Sequence, residues 1–377
     1  MISKSALYIH IPFCDHKCIY CDFYSIITSD NVQNYLSSLK REIDYYAQIY
    51  SGTHLFNTIY FGGGTPSLMN PEYLGDIISY LKNKFIIETD SEITIETNPG
   101  TVTKEKFALF KKVGVNRVSI GVQSFNEDEL KFLTRIHSSQ TAIDTVYNAV
   151  ETGFNNVSID LIFNLPGQTK EKWLNNLNTA FTLPIKHLSA YSLILERGTI
   201  LNKMVIDRKV ELEDDEHDAD LYELTIDYIL SKGMKQYEVS NFCYEGFESI
   251  HNNAYWHYKD YLSFGTSAHS FMNGKRWNNL SSLKMYINSI EKNGNGVIHS
   301  EVVSDIQMEE EYVLLALRSR GLLLNEFKEK FGGDWLRRNS DMLNQLEDEK
   351  LIIINDDLMY LTPRGFAVCD EILSRFC

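Results

Sequence analysis

Basic residues are comparatively scarce in this chain of 377 residues, which holds 36 Lys and Arg against 51 Asp and Glu and has a formal net charge of -15. Proteins that bind nucleic acid in general use Lys and Arg to neutralise phosphates. The charge balance therefore argues against general nucleic-acid binding, although it says little about the fold.

Long apolar runs are also missing. No stretch approaches the roughly 20 apolar residues that a membrane-spanning helix needs, and Met1–Ala6 is short and polar rather than a secretory signal. These absences predict a cytoplasmic protein whose membrane contact is at most peripheral. Internal repeats and low-complexity linkers are lacking as well, and the length suits one large domain with one or two small ones.

Cysteine is rare, and half of the six cysteines are grouped. Cys14, Cys18 and Cys21 follow a short apolar stretch at C-x3-C-x2-C spacing. Disulfides are rare in the cytoplasm, so we expect these three to be reduced ligands. The remaining cysteines lack ligand spacing and are expected to be small buried or terminal thiols: Cys243, Cys369 and Cys377.

Two kinds of metal site suit the grouped cysteines. Iron-sulfur clusters normally take four protein sulfurs, so three on one loop would leave one iron of a four-iron cluster open to another ligand. A Cys3His zinc site, with His10 or His16 as fourth ligand, would use the same cysteines. The loop alone leaves both interpretations open.

Residues 7 to about 233 alternate short apolar strands with amphipathic helices, a pattern typical of a parallel sheet built from strand-helix units. The predicted strands cover residues 7–11, 58–61, 93–96, 117–122, 157–163 and 188–194. These units are two short of an eight-stranded barrel, so we predict an α/β fold with an incomplete barrel or an open sheet. In both, ligand sites gather at the C-terminal ends of the strands.

Glycines and polar residues stand at those ends. The Gly62–Gly64 turn would let the backbone approach a ligand closely, or is a plain tight turn. Glu96 and Asp160 could bind ribose hydroxyls or an ammonium group, or else cap a helix or form a local salt bridge. Gln123 offers two donors and an acceptor. Arg135 could bind a carboxylate through two nitrogens, or lie on a solvated face.

The spacing C-x3-C-x-aromatic-C, with Tyr20 as the aromatic residue, resembles the cluster loop of radical S-adenosylmethionine (SAM) enzymes. With the motifs above, almost the whole chain resembles the radical SAM family of oxygen-independent coproporphyrinogen III oxidase-like proteins. The resemblance implies an incomplete (β/α)6 radical SAM barrel and a [4Fe-4S] cluster held by Cys14, Cys18 and Cys21. It also implies SAM contacts from Tyr8, Tyr20, Gly63, Gly64, Thr65, Glu96, Gln123, Arg135, Asp160 and Ile194.

One departure from the family pattern is Asn164, which stands where relatives often have glycine before Leu-Pro-Gly. Asparagine tolerates the left-handed backbone better than most residues. We therefore expect this turn to survive.

Residues 251–256 read His-Asn-Asn-Ala-Tyr-Trp, an H-N-x-x-Y-W motif. By the resemblance, this motif distinguishes a haem chaperone branch of the family from the oxidase and implies haem binding by His251, Asn252, Tyr255 and Trp256. An imidazole can be an axial ligand of haem iron. Without the resemblance, a structural histidine in an aromatic core is favoured. His269 is a second choice for the iron ligand.

Two further departures favour the chaperone branch. Phe23 occupies the place where such oxidases carry a fourth cysteine, and the chain reaches Cys14 with little room for the segment that precedes their cluster loop. We therefore predict a haem chaperone that holds a cluster and SAM and delivers haem to acceptor proteins. The alternative is an oxidase that cleaves SAM to a deoxyadenosyl radical and acts on a porphyrinogen. The resemblance suggests ferredoxin or flavodoxin as electron donor.

The tail changes character again. Helices are predicted at residues 312–317, 325–331 and around 343–346, and strands at 351–354 and 359–361 flank a hairpin turn. This order is typical of a winged-helix-like unit, which we interpret as a packing domain because it lacks a basic stripe. We divide the chain into a radical SAM core (1–233), an extension with the H-N-x-x-Y-W motif and a strand at 236–242 (234–300), and a small C-terminal winged-helix-like domain (301–377).

Overall fold

The structure, a computed structural model, describes residues 4–28 and 30–376, and of Asp334 only the backbone. Its frame is a set of parallel strands that lie side by side in chain order: β1 (Lys4–Ile11), β2 (Leu55–Gly63), β3 (Ile86–Thr97), β4 (Arg117–Gln123), β5 (Asn156–Phe163) and β6 (His187–Ser192). Each overlaps one predicted strand, so the prediction of a parallel sheet is confirmed. Residues 1–3 and Cys377, which entered the expectations above, lie outside the described residues.

Helices connect these strands or follow the last of them: α1 (Val32–Tyr50), α2 (Pro71–Lys84), α3 (Lys104–Lys112), α4 (Glu127–Phe132), α5 (Ser139–Glu151), α6 (Lys170–Ala180), α7 (Ile200–Ile206) and α8 (Asp215–Ser231), with a short 3-10 helix at Pro66–Leu68. Their ends follow the sequence. The Asn70 side chain accepts a 3.0 Å hydrogen bond from the Glu72 N–H at the start of α2, a cap worth about 1 kcal/mol. The glycines two residues beyond the ends of α3, α5 and α8 have positive φ: Gly114, Gly153 and Gly233.

Alternation along β4 shows how the strands separate a core from a cavity. Val118, Ile120 and Val122 are fully buried in the main apolar core, where each side chain contributes about 1.5–3 kcal/mol. Arg117 and Ser119 point to the opposite face, because successive side chains of a strand alternate. That inner face is polar and is available for a ligand.

Later strands extend the sheet at both edges: β7 (Lys235–Glu238) and β8 (Asn241–Cys243) beside β6, and β9 (Tyr261–Phe264), β10 (His269–Met272), β11 (Lys275–Asn279) and β12 (Val297–Val302) beside β1. Helices α9 (Ile250–Trp256) and α10 (Leu283–Asn293) lie between them in sequence. Among the described residues, the sheet runs in the order β12-β11-β10-β9-β1-β2-β3-β4-β5-β6-β8-β7 without closing. The prediction of an incomplete barrel is confirmed.

The prediction of one strand over residues 236–242 is wrong, because the chain reverses there into the antiparallel pair β7 and β8. The buried carboxylate of Glu238 accepts a 3.1 Å hydrogen bond from the N–H of Ser240 inside the turn. The N–H of Val239 donates to the carbonyl of Arg318, at 2.9 Å. No glycine or proline marks this turn. The sequence of residues 236–242 therefore resembles that of one continuous strand.

The C-terminal unit contains α11 (Asp305–Leu317), β13 (Leu322–Leu323), α12 (Leu324–Phe331), α13 (Asp334–Arg338), α14 (Ser340–Asp348), β14 (Ile352–Asn355), β15 (Leu358–Leu361), α15 (Pro363–Ala367) and α16 (Cys369–Ser374). Strands β13, β15 and β14 form a small antiparallel sheet, and Leu317, Phe327, Leu346 and Met359 share a second buried core. This arrangement confirms the winged-helix-like prediction. In the described part of the chain, no helix has the length and apolarity needed to cross a membrane.

Candidate functional site

A cavity of about 480 Å³ lies at the C-terminal ends of the parallel strands, where the sequence predicted a site. Cavities of roughly 300–1,000 Å³ are typical of small-molecule sites. Its lining includes Cys14, Cys18 and Cys21 and every residue predicted to contact SAM except Tyr8. The fold thus brings the cysteine loop after β1 together with residues of β2 to β6 and of the segments that follow these strands.

The loop that carries the cysteines joins β1 to α1 and is closed at its base. Phe13 and Ile26 form a parallel bridge. The N–H of Cys14 donates to the carbonyl of Ile26, at 3.0 Å, and the N–H of Ile26 donates to the carbonyl of Pro12, at 2.8 Å. These bonds fix both ends of the loop. The three thiols between them are free and partly exposed.

The surroundings of two of the sulfurs suit thiolate ligands, whereas burial raises the pKa of the Cys21 thiol to about 11. The hydroxyl of Thr65 lies 3.1 Å from Sγ of Cys14, and Nη1 of Arg135 donates to Sγ of Cys18, at 3.6 Å. A nearby cation and hydroxyl stabilise a thiolate, the form that binds metal, so the donor set fits an iron-sulfur cluster. Within residues 4–28 and 30–376, no three His, Cys, Asp or Glu side chains already form a metal-ion group. The sulfurs line the cavity without converging.

The histidines named for the zinc alternative contact protein groups instead. Nε2 of His10 lies 2.9 Å from the carbonyl of Tyr24, and burial lowers the pKa of His10 to about 4. Nε2 of His16 lies 3.2 Å from the hydroxyl of Thr134. These contacts direct the two rings to Tyr24 and Thr134 and not to the cysteines.

Gly63 and Gly64 bring the end of β2 against the backbone of the cysteine loop. The N–H of Gly64 donates to the carbonyl of Ile11, and that of Thr65 to the carbonyl of Phe13, both at 2.8 Å. Gly63 has a φ of 112°, a conformation that favours glycine. A Cβ atom on Gly64 would lie 2.7 Å from the carbonyl oxygen of Phe13. The turn is therefore a close backbone approach that needs both glycines.

Two carboxylates face the cavity from β3 and β5. Glu96 accepts hydrogen bonds from the hydroxyl of Tyr60, at 2.8 Å, and from the N–H of Gly63, at 3.2 Å. Asp160 accepts one from the hydroxyl of Ser119, at 3.2 Å. Burial raises the pKa of Glu96 to about 7 and also raises the pKa of Asp160. Neither caps a helix, so both are available to an ammonium group or to ribose hydroxyls.

Arg135 and Gln123 complete the polar wall. Nη2 of Arg135 donates to Oδ1 of Asn98, at 2.8 Å, and to the carbonyl of Gly121, at 2.6 Å, so this residue is not on a solvated face. Gln123 ends β4 with a left-handed φ of 67°. Its side chain lines the cavity.

Other predicted contacts lie at the mouth of the cavity or behind its wall. Ile194 lines the mouth and is 67% exposed, as is Phe23 at 62%, while Tyr20 lies with the cysteines. Tyr8 stands behind Tyr60, with their rings stacked at 6.0 Å. A direct contact between Tyr8 and SAM stays a prediction. Asn164 has a φ of 59°, which confirms that the turn accommodates asparagine.

The H-N-x-x-Y-W motif forms α9, which packs against β1 and β2. Of its predicted haem contacts, Asn252 lines the cavity, whereas His251 is 2% exposed. Nδ1 of His251 lies 2.7 Å from the Thr58 hydroxyl and Nε2 lies 2.9 Å from the Tyr255 hydroxyl. Burial lowers the pKa of His251 to about 3. Ligation of haem iron by this ring stays a prediction, and it would require the loss of one of these bonds. Trp256 ends α9 and is half-buried.

His269 occupies a different environment at the start of β10. Its side chain is exposed and has no hydrogen bond within the described residues. The neighbouring strand β11 places Asn278 opposite it. In this structure, His269 is the more accessible of the two histidines predicted as haem ligands.

Sequence reasoning missed several cavity residues, among them Tyr60, Arg117 and Ser119. Arg117 is 2% exposed, and its Nε lies 3.9 Å from the carboxylate of Glu92. These residues occupy alternate positions of β2 and β4, on the side opposite the core. The two-residue period of the strands was the available signal, because a polar residue between core positions must face the inside of the barrel.

Comparisons with known proteins identify the family and the fold. The family model described as the Radical SAM superfamily matches residues 8–180, and that of the HemN C-terminal domain matches residues 303–368. The coproporphyrinogen III oxidase HemN from Escherichia coli, a solved structure, superposes with a TM-score of 0.86 over 99% of this chain and 90% of its own, at 23% identity. That likeness shows the fold.

Curated relatives match along the full length. "Heme chaperone HemW" of Bacillus subtilis is 36% identical over 99% of both chains. "Heme chaperone HemW" of Lactococcus lactis is 33% identical over 100% of this chain and 98% of its own. "Radical S-adenosyl methionine domain-containing protein 1, mitochondrial" of Danio rerio is 30% identical over 98% of this chain and 86% of its own. With its cysteine loop, its partial barrel and these full-length relatives, the chain belongs to the HemW family of the radical SAM superfamily.

Proposed function

We propose that this protein is a cytoplasmic haem chaperone that holds a [4Fe-4S] cluster and SAM, binds haem and delivers it to acceptor proteins. The observation that carries the proposal is the full-length similarity to proteins named as haem chaperones. Phe23 supports it, because the position assigned to a fourth cysteine in the related oxidases holds an exposed phenylalanine at the cavity mouth.

The residues that would hold the cluster are Cys14, Cys18 and Cys21. When bound, such a cluster supplies an open iron for SAM and an electron carrier. Thr65 and Arg135 stabilise the ligating thiolates through the contacts described above. The closed base of the loop keeps the three cysteines on one wall of the cavity.

The remaining residues would bind and orient SAM. Glu96 and Asp160 offer acceptors to an ammonium group and to ribose hydroxyls. Gly63 and Gly64 allow the backbone to approach the methionyl part, and Gln123 contributes an amide. Ile194 and Phe23 place apolar surface at the mouth, where it limits access of water.

Haem is the cargo of this protein, and its binding residues are proposed from the motif of α9 and from His269. Asn252 is the member of the motif that reaches the cavity, and Tyr255 and Trp256 supply aromatic surface near it. An exposed imidazole without a hydrogen-bond partner binds iron at a lower cost than a buried one with two partners, because no bond is lost. His269 is therefore the better axial ligand in this conformation.

An anaerobic haem titration of cluster-reconstituted protein, followed by visible absorbance, tests the proposal. We expect stoichiometric binding by the native chain, a loss of at least tenfold in affinity for His269→Ala, and transfer of the bound haem to an apo-cytochrome acceptor. The matched control is His299→Ala, which removes an exposed histidine of β12. Absence of saturable haem binding by the native chain would reject the chaperone.

The oxidase alternative is tested on the same preparation. Coproporphyrinogen III is incubated with SAM and a low-potential donor such as reduced flavodoxin. We expect no protoporphyrinogen. Its formation at a catalytic rate would replace the proposal.

A further inference from the structure

The ring of His251 lies flat against the ring of Tyr60, and this pair connects α9 to the cavity. The two ring centroids are 4.7 Å apart with planes inclined by 26°. Stacked rings of this kind attract each other beyond the effect of the area that they bury. The hydroxyl of Tyr60 then donates to Glu96, at 2.8 Å. His251 is therefore one side chain removed from a carboxylate of the proposed SAM site.

The position of His251 is determined from three directions. Thr58 on β2 and Tyr255 on α9 occupy its two ring nitrogens. Glu92 on β3 accepts hydrogen bonds from the N–H groups of Ile250 and His251, at 3.3 and 3.1 Å. The ring has little freedom. Tyr60 packs against it and against Tyr8, and the centroids of Tyr8 and His251 are themselves 6.2 Å apart, so the three rings form one cluster. A ring held in such a cluster keeps its hydroxyl at one place.

We propose that His251 is a positioning residue of the SAM site, which holds Tyr60 so that its hydroxyl fixes Glu96 toward the ammonium group of SAM. The inference rests on the proposed SAM site but not on haem binding. It gives the H-N-x-x-Y-W motif a role in the floor of the cavity, and it assigns Tyr60 to the site.

The pH dependence of SAM binding follows from this arrangement. The groups that face Glu96 are Tyr8 and Tyr60 on β1 and β2, Arg117 on β4, Asp160 on β5 and Tyr255 on α9. Burial is the main reason why the pKa of Glu96 is raised to about 7, and the hydrogen bond from Tyr60 opposes that rise.

Removal of the Tyr60 hydroxyl therefore raises the pKa of Glu96 further. An ammonium group needs the ionised carboxylate, so the pH at which SAM binding is half-maximal moves upward. The amino group of SAM itself titrates identically with every variant, so differences between variants report on the protein.

Equilibrium dialysis of labelled SAM against cluster-reconstituted protein, under anaerobic conditions and from about pH 6 to pH 9, tests the inference. The variants are Tyr60→Phe, which keeps the stacked ring and removes the hydroxyl, and His251→Ala, which removes the stacking partner. We expect both to bind SAM about tenfold more weakly at pH 7, the effect of losing one hydrogen bond to a charged group. In both variants the pH of half-maximal SAM binding should rise, and the iron content should equal that of the native chain.

The control is His54→Ala. His54 is also buried and has partners on both ring nitrogens, Thr53 and Asp260, but it does not line the cavity. We expect this variant to bind SAM with the affinity of the native chain and with the same pH of half-maximal binding. That result would separate the loss of positioning in His251→Ala from general destabilisation. His251→Phe, which restores a stacked ring, should recover most of the affinity that His251→Ala loses.

Native-like SAM affinity and midpoint in Tyr60→Phe would overturn the inference, even if His251→Ala failed to fold. Loss of haem binding in His251→Ala with normal SAM binding would also overturn it, in favour of axial ligation. Failure of the native chain to bind SAM would reject the proposed SAM site itself.

Discussion

The hydroxyl of Thr65 lies 3.1 Å from the sulfur of Cys14. The same hydroxyl accepts a 2.9 Å hydrogen bond from the side-chain amide of Asn98, so its own proton is free to point at the sulfur. The residue after the glycine turn thus links the end of β3 to the cysteine loop. Hydrogen bonds to a thiolate stabilise its charge.

We expect Thr65→Val to retain the fold and to weaken the cluster, because valine has the shape of threonine without the hydroxyl. A hydrogen bond to a charged group contributes about 1.5–3 kcal/mol, which corresponds to faster iron loss to a chelator by at least tenfold. Iron release monitored by absorbance measures this. Thr145→Val is the control, since the hydroxyl of this buried threonine contacts only the carbonyl of Thr141 within α5. Equal release rates in both variants would contradict the expected role.

Replacement of Cys14, Cys18 and Cys21 by serine should abolish iron and sulfide binding after anaerobic reconstitution. The control replaces Cys243 and Cys369, which are buried away from the cavity, and should keep full iron content. Iron, sulfide and zinc are measured together. Stoichiometric zinc in place of iron in the native chain would support the Cys3His alternative.

Gly64→Ala should lose SAM binding and stability. The added Cβ would lie 2.7 Å from the carbonyl oxygen of Phe13 and 3.0 Å from that of Ile11, and backbone cannot rotate away as a side chain can. Overpacking of this kind costs about 1–3 kcal/mol, measured by urea denaturation. Gly52→Ala, where a Cβ meets nothing within 4 Å, should be neutral. A stable Gly64→Ala that binds SAM normally would show that the turn can move.

The buried carboxylate of Glu42 should make the stability of the fold depend on pH. This fully buried carboxylate accepts hydrogen bonds from Gly265, Asn279 and Tyr286 at 2.6–2.8 Å, yet burial raises its pKa from 4.5 to about 7. Between these values the folded chain keeps a proton that the unfolded chain has released. The associated stability is therefore complete below about pH 4.5 and is lost as the pH rises through about 7.

The measurement is the free energy of unfolding in urea between about pH 5 and pH 8. We expect it to fall with rising pH, and Glu42→Gln to reduce the fall by up to about 3 kcal/mol, since one pKa unit corresponds to 1.36 kcal/mol. Glu96 and Glu238 also have pKa values raised to about 7 by burial, so part of the slope should remain. The same slope in Glu42→Gln and the native chain would refute this assignment.

The fold was largely predictable because its strands and helices differ in their apolar period. Val118, Ile120 and Val122 recur every second residue on β4, whereas Leu74, Ile77, Ile78 and Leu81 are spaced along a helical face of α2. Turn chemistry marked most boundaries. The hairpin at Val239 lacked such residues and was missed.

The site was predictable where a motif follows a strand and less so where its residues lie inside one. The cysteine loop follows β1 and Glu96 stands one residue before the end of β3, so both could be located from the strand ends. Tyr60 and Arg117 lie inside strands, where only the two-residue alternation of side chains indicates that they face the cavity. The environment of His251 depends on Thr58, which is distant in sequence, so its burial could not be deduced from the motif.

The pairing of Ala6 in β1 with Tyr261 in β9 has a consequence for synthesis of the chain. The first strand receives its second neighbour only after Tyr261 has left the ribosome, and β6 receives β8 only after Asn241. Until then, the nascent barrel presents two unpaired edges, which can pair with other chains. Contacts so distant in sequence form slowly. The segment that carries the H-N-x-x-Y-W motif thus also determines when β1 and β6 cease to be edge strands.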